Sequence, residues 1–329
     1  MKGQGLLQLC WRPYRFVLPR SLITSRGALV QRQGWLLRLR AADGACGWGE
    51  AAAPLLAPPD PALAVALAAL PPAFERDALE QQLPQLPAPL GCALGMALAE
   101  LDGLGTEAEG GWRRAPISAC LLPAGEAMLA ALELLRRDRA AAPAPSLTLK
   151  WKVAAVADPQ ERDLLEALLQ HLPVGARLRL DANGGWDRAT ASRWADRLAA
   201  EPRLEWLEQP LRAADQQGLA RLAARLPVAL DESLPQLSAQ QRAAWSGWLV
   251  RRPLQEGDPR PLLQALQGGL PRQMISTAFE TGIGRRFVDH LAALQADGPT
   301  PTAPGLAPGW RPGGALFSGD PERVWEAAA

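Results

Sequence analysis

Lysine is scarce in this chain. Three occur in 329 residues, Lys2, Lys150 and Lys152, so 32 of the 35 basic residues are arginine. There is one asparagine (Asn183), one tyrosine (Tyr14) and four isoleucines. A genome biased toward GC-rich codons leaves this kind of depletion, and it makes the survivors informative. Net charge is also small, with 35 Lys+Arg against 34 Asp+Glu leaving +1 at pH 7. A chain that grips nucleic acid or an anionic membrane surface carries a clear basic excess, so neither partner is expected. The twelve tryptophans form no stripe alternating with basic residues, as a base-stacking surface would. No apolar run approaches the roughly 18 residues of a membrane-spanning helix. The apolar stretch at the N-terminus is too short and broken for a secretory signal. Cys10, Cys46, Cys92 and Cys120 form no CxxC pair and have no histidine at metal-ligand spacing. Neither structural zinc nor a disulfide framework is expected, and reduced thiols in the cytoplasm are the simplest reading.

The length fits two domains, or one large barrel with an appendage. Residues 1–105 read as an α+β unit. Strands are expected near 6–17, 28–40 and 46–50, with Asp43-Gly44 as a hairpin turn. An Ala/Leu-rich stretch over 61–102 reads as two or three helices punctuated by Pro71, Pro72, Pro84, Pro87 and Pro89. Beyond about residue 115 the texture changes. Short apolar runs recur between helical stretches: PISACLL (116–122), LTLKWKV (147–153), RLRLDAN (177–183), LEWLEQP (204–210), VALDES (228–233), GWLVRRP (247–253) and QMISTAF (273–279). Strand and helix in alternation predict parallel βα units, and seven such units predict a (β/α) barrel of the TIM type with one element degenerate or uncounted. The fold class is therefore α/β. A capping unit is expected over 1–105 and a catalytic barrel over 106–301, with the Pro/Gly-rich tail, 302–329, returning to the cap.

Active sites of such barrels lie at the C-terminal ends of the strands, and the polar residues of these runs gather there. Lys150 and Lys152, two apart on one strand, face the same way. Arg keeps its proton in a protein, whereas Lys can give it up, so this pair is a candidate for proton chemistry. Asp181 ends the next run with Asn183 after it, Glu208 ends the third and Asp231 the fourth. One such carboxylate alone reads as a solvated loop residue or a helix cap. Three at matched places on neighbouring strands, beside a lysine pair, converge and repel unless a cation joins them. An all-oxygen set of this kind suits Mg²⁺, with Mn²⁺ as a substitute, better than zinc.

LTLKWKV, LRLDANGGWD, WLEQP and LDES, in this order, resemble the muconate-lactonising branch of the enolase superfamily. GWGEAAAPL (47–55) and ISTAFETGIG (275–284) fit the same pattern, and the likeness runs over nearly the whole chain. The resemblance implies Asp181, Glu208 and Asp231 as Mg²⁺ ligands and Lys152 as general base, with Lys150 as its companion. It also implies Ser276 and Thr277 as contacts to substrate carboxylates and the loop at 19–28 as a flap over the site. Asn183 and Glu232 are expected to support the ligands from behind. The reaction implied is removal of a proton α to the carboxylate of a small substrate. The metal stabilises the developing charge, and a second cation near Lys152 lowers the pKa of that base. Return of the proton to a leaving hydroxyl on the same face is a syn dehydration, and the pattern lies nearest the members of the branch that dehydrate.

One position departs from the branch. A second catalytic lysine is usual before a proline across the barrel, and here WLVRRP places Arg252 there. Arginine is a poor proton carrier at neutral pH. Racemases and epimerases of the branch need a base on each face of the carbon, so Arg252 counts against N-acylamino acid racemase and dipeptide epimerase. Muconate cycloisomerase matches the pattern less well. In a dehydration, the opposite-side cation need only stabilise charge or lie against a ring. Retention of Lys150, Lys152 and Asn183 against the drift in composition argues against a barrel decayed into a scaffold. Trp151 is expected to pack outward against helices.

Overall fold

A computed structural model describes residues 5–55, 61–140 and 147–328. Near the N-terminus, β1 (Leu6–Thr24), β2 (Gly27–Arg40), β3 (Cys46–Ala52) and β4 (Ala73–Glu75) form an antiparallel sheet in the order β3-β2-β1-β4. The Asp43-Gly44 turn joins β2 to β3, with Gly44 at a φ of 90° that glycine adopts without strain. β1 extends past its expected end at residue 17, shifting register between Val17 and Leu22. The segment expected as a loop at 19–28 is therefore a hairpin tip, with only Ser25 and Arg26 between the strands. β4 was not anticipated, because its three residues are too few to show a period of two. They pair with Leu6–Gln8.

Helices cover Pro61–Ala68, Arg76–Gln82 and Ala88–Leu101. Pro89 lies inside the first turn of the last helix, where its missing N–H is harmless, and does not break it. That helix is buried along most of its length against β3. Gly47 and Gly49 make the close approach possible, since a Cβ on either would overlap the Ala97 and Ala93 carbonyl groups.

Each of the seven apolar runs supplies a parallel strand: β5 (Cys120–Leu122), β6 (Thr148–Lys152), β7 (Arg177–Asp181), β8 (Leu204–Glu208), β9 (Val228–Leu230), β10 (Trp248–Arg251) and β11 (Gln273–Ile275). They form one sheet in sequential order. All five residues of β6 are buried, as expected of a strand covered on both faces. Between β11 and β5, the place of an eighth strand is held by residues 304–306. Gly305 donates to the Ile275 carbonyl and accepts from Thr277, while the Pro304 carbonyl accepts from Ala119. Prolines at 301 and 304 remove ladder donors, which keeps this segment from becoming a regular strand. The fold is thus α/β, a modified (β/α) barrel with an antiparallel N-terminal sheet domain.

Trp151 faces outward into the core between strands and helices. The barrel floor is apolar and aromatic: Trp206, Ala229, Val250 and Met274 cluster with Trp248. The buried Arg179 guanidinium lies 4.0 Å above Trp206 and donates to Glu205 (2.6 Å) and Thr302 Oγ1 (2.7 Å). Near the C-terminus, Trp325 packs on Trp48 and lies under Arg12 and Arg38 of the N-terminal sheet.

Candidate active site

Alternation along β6 sends Lys150 and Lys152 into the barrel, and the same parity on β7 and β8 sends Asp181 and Glu208 toward them. In register, Lys152 stands beside Asp181, and Asp181 beside Glu208. The Lys150 ammonium bridges Asp181 Oδ2 (2.8 Å) and Glu208 Oε1 (2.6 Å). Lys152 Nζ donates to Asp181 Oδ2 (2.6 Å) and Asn183 Oδ1 (2.9 Å). Across the barrel, Arg252 forks onto Asp231, Nε lying 3.0 Å from Oδ1 and Nη2 2.5 Å from Oδ2. Its Nη1 donates to the Thr277 carbonyl (2.7 Å). Asn183 Nδ2 donates to Glu232 Oε1 (3.0 Å), so Asn183 links the Lys152 ammonium to Glu232.

Two cavities meet here. The outer, about 740 Å³, is bounded by Thr24, Ser25 and Arg26 of the hairpin tip and by Asn183, Arg212, Asp231 and Glu232 of the barrel. The inner, about 40 Å³, is lined by Lys150, Ser276, Thr277 and Gly305. Lys152, Arg252 and Phe279 line both. Asp181 and Glu208 are fully buried and line neither, lying behind the ammonium groups. The candidate site residues Lys150, Lys152, Asp181, Asn183, Glu208, Asp231, Glu232, Arg252, Ser276 and Thr277 therefore come together at one end of the barrel.

The electrostatics are those of a site with surplus negative charge. Burial opposes ionisation of Asp181, but Lys150 and Lys152 hold its carboxyl well below the usual range. Burial alone would lower the Lys150 ammonium, yet Asp181 and Glu208 raise it. Glu208 is pushed up to about 7, first by burial and then by the charge of Asp181. Glu232 is pushed up to about 7 by burial and by Asp231. Its Oε2 is buried without a hydrogen-bond partner.

These residues fit a divalent cation. The Asp181, Glu208 and Asp231 donors are hard oxygens at the ends of consecutive strands, and beside them Glu232 Oε2 is buried without a partner. Among the described residues no three acidic, histidine or cysteine side chains enclose an ion unaided. Lys150 spans two of the carboxylates and Arg252 takes the third, so an ion would enter by displacing these contacts.

Several participants were given no individual role by the sequence. Gln209 is buried, accepts from the Asp231 and Ser233 backbone and donates to Ser233 Oγ, fixing the loop that carries Asp231. It lies in the WLEQP run beside Glu208, which marked its place but not its role. Ser25 Oγ donates to the Ala182 carbonyl (3.0 Å), and Arg26 approaches Glu232 at 3.7 Å, which seats the hairpin tip over the barrel mouth. Arg212 belongs to no motif and is brought in by a loop, and Phe279 lies in the ISTAFETGIG run, which assigned it no role.

A capped barrel with a lysine pair and strand-end carboxylates defines the enolase superfamily as the class of protein. A family model described as "Enolase C-terminal domain-like" matches residues 133–248. An o-succinylbenzoate synthase from Thermosynechococcus vestitus is 36% identical over 297 residues, 85% of this chain and 87% of the relative. One from Yersinia enterocolitica is 31% identical over 305 residues, 89% and 88% of the two chains. The crystal structure of o-succinylbenzoate synthase from Thermosynechococcus elongatus, with magnesium in its active site, matches at a TM-score of 0.78. That match has 32% identity and covers 97% of this chain and 99% of the other. The chain belongs to the o-succinylbenzoate synthase family.

Proposed function

We propose that the chain is an o-succinylbenzoate synthase, a hydro-lyase that converts 2-succinyl-6-hydroxy-2,4-cyclohexadiene-1-carboxylate to o-succinylbenzoate and water. The observation that carries this reading is the Lys150–Lys152 pair at the meeting of the two cavities, backed by Asp181 and Glu208 and faced by Arg252. Lys152, acting as the free amine, takes the proton from C1 and becomes the ammonium. The C1–H electron pair becomes the C1–C6 double bond as the C6–O bond breaks. The ammonium then returns its proton to the departing hydroxyl on the same face, so water leaves and the ring becomes aromatic. Asp181, Glu208 and Asp231 are the residues that would hold Mg²⁺, for which Mn²⁺ could substitute. When bound, the ion would supply positive charge to offset that of the ring carboxylate and the charge that builds there as the proton leaves. Lys150 and the Arg252 guanidinium add positive charge, and Ser276 and Thr277 face the carboxylate in the inner chamber. Asn183 holds Lys152 and ties it to Glu232 at the wall of the outer cavity. The outer cavity, with Arg26 and Arg212 at its rim, receives the succinyl arm.

Arg252 speaks against the epimerising relatives. Burial would lower its pKa, but Asp231 raises it above the ordinary arginine value, so it cannot serve as a base. We place the cap at 1–105 and the barrel at 106–301; of the tail expected to return to the cap, 302–329, residues 304–306 instead complete the barrel, and Trp325 packs on the cap. Formation of menaquinone or phylloquinone is the pathway consistent with the product, and the cytoplasm the location. Among the described residues, no helix is long and apolar enough to cross a membrane.

The test follows loss of the diene absorbance with Mg²⁺, with EDTA, and in Lys152→Ala. Metal-dependent turnover is expected, with a fall of about 10²- to 10⁴-fold or more in the variant while Mg²⁺ binding persists. A wild-type protein that binds Mg²⁺ and leaves the diene intact would sink the assignment.

A further inference from the structure

Glu50 lies on β3 of the N-terminal sheet, 231 residues before the barrel residue it contacts, and is fully buried. Its carboxylate accepts from Tyr14 Oη (2.6 Å), Thr281 Oγ1 (2.6 Å), and the backbone N–H groups of Thr281 (3.0 Å) and Gly284 (3.0 Å). Thr281 caps the 15-residue helix Gly282–Ala296. An anion from one sheet thus sits on the N-terminus of a barrel helix, where free N–H groups and the helix dipole favour it.

The turn leading into that helix is pinned at its other end as well. Thr277 Oγ1 donates to Glu280 Oε2 (2.8 Å) and accepts from the Phe279 N–H (2.8 Å). Between the pins, Phe279 is held at a φ of 58°, a conformation disfavoured for a bulky side chain and sustained only when its surroundings impose it. Phe279 lines both cavities and belongs to one apolar cluster with Leu18, Leu22 and Leu29 of the hairpin that closes the site. A buried carboxylate is a weak device for stability alone, since an apolar pair would serve as well or better. It is a good device for fixing a geometry.

We propose that Glu50 is a positioning residue for the reaction: by clamping the Thr277–Gly284 turn it holds Phe279 as the wall between the two chambers and couples seating of the cap to the shape of the site. This rests on the dehydration proposed above. Glu50 touches no substrate, so its effect is exerted through Phe279 and the Ser276–Thr277 segment.

The experiment compares wild type, Glu50→Gln, Phe279→Leu, the double variant, and Thr281→Ser as the conservative change. It measures kcat and KM for the diene with Mg²⁺, the dissociation constant of o-succinylbenzoate by calorimetry, and thermal stability. Glu50→Gln is expected to raise KM and the product dissociation constant about tenfold or more with a smaller change in kcat. Phe279→Leu should do the same, and the double variant should be no worse than the poorer single one, because both act on one element. Thr281→Ser keeps the hydroxyl and should behave as wild type. If Glu50→Gln fails to fold, Thr281→Val, which removes one of the four donors, carries the same comparison. A Glu50→Gln protein that only melts earlier, with KM and product binding unchanged, overturns the proposal, as does a double variant whose effects multiply. Absence of turnover in the wild type overturns the dehydration itself, and the role of Glu50 falls with it.

Discussion

Replacing Arg252 by Met removes a cation whose work is visible in the structure. The guanidinium makes three contacts within 3.2 Å to the two Asp231 oxygens and one to the Thr277 carbonyl. The side chains are 15% and 8% exposed, so the pair is nearly but not wholly dry. Breaking a buried pair by deleting one partner costs about 3–5 kcal/mol, because the other charge stays buried alone. Residual exposure puts this case near the lower end, about 3 kcal/mol. At about 2 °C per kcal/mol for a chain of this size, the metal-free protein should melt about 6 °C lower. Mg²⁺ should then stabilise Arg252→Met more than wild type, since it supplies the cation Asp231 has lost and need not displace a guanidinium. Arg252→Lys keeps the charge but loses the fork and should fall between. Thermal melts of the three proteins with EDTA and with saturating Mg²⁺ decide the matter without reference to turnover. Metal-free melts that agree within about 1 °C, or equal Mg²⁺ shifts in all three proteins, would refute the reasoning.

Two further outcomes follow from other parts of the molecule. Glu100 is pushed from 4.5 up to about 7 by burial, against the pull of Arg286. Below pH 4.5 it is protonated whether folded or unfolded, and as pH rises through 7 the folded state must ionise a group it prefers neutral. The stability of wild type relative to Glu100→Gln should therefore fall by about 3 kcal/mol between pH 4.5 and 8, and a gap in denaturation midpoints that is flat with pH would contradict this. Gly49→Ala would drive a Cβ into the Ala93 carbonyl and force the helix Ala88–Leu101 off the sheet. A loss of about 1–3 kcal/mol is expected in chemical denaturation, and an unchanged midpoint would mean that the contact is looser in solution.

Much of the architecture was legible because it is written in local periods. Seven short apolar runs alternating with helical stretches were enough to place β5 to β11, since a strand covered on both faces is largely apolar outside its functional positions. The lysine pair and the three carboxylates were legible for a related reason. Parity along a strand fixes which side chains share a face, and sequential parallel strands make strand ends neighbours. Two residues apart on one run, Lys150 and Lys152 had to point together, and Asp181 and Glu208 had to lie beside them.

What the sequence left open depended on contacts between distant segments. Nothing local distinguishes the Pro304–Leu306 segment, which holds the place of the eighth strand only because β11 and β5 leave donors and acceptors for it. β4 exists because Leu6–Gln8 offers an edge, not because three residues prefer to be extended. Glu50 reads as a polar end to a strand until Thr281, Gly284 and Tyr14 are folded around it. Phe279 acquires its place between two cavities from a left-handed backbone that no aromatic residue would choose alone. Pairing of Arg252 with Asp231, and of Lys150 with two acids at once, is likewise a tertiary matter. Charges on separate strands select partners by distance and dielectric, and only the closed barrel sets either.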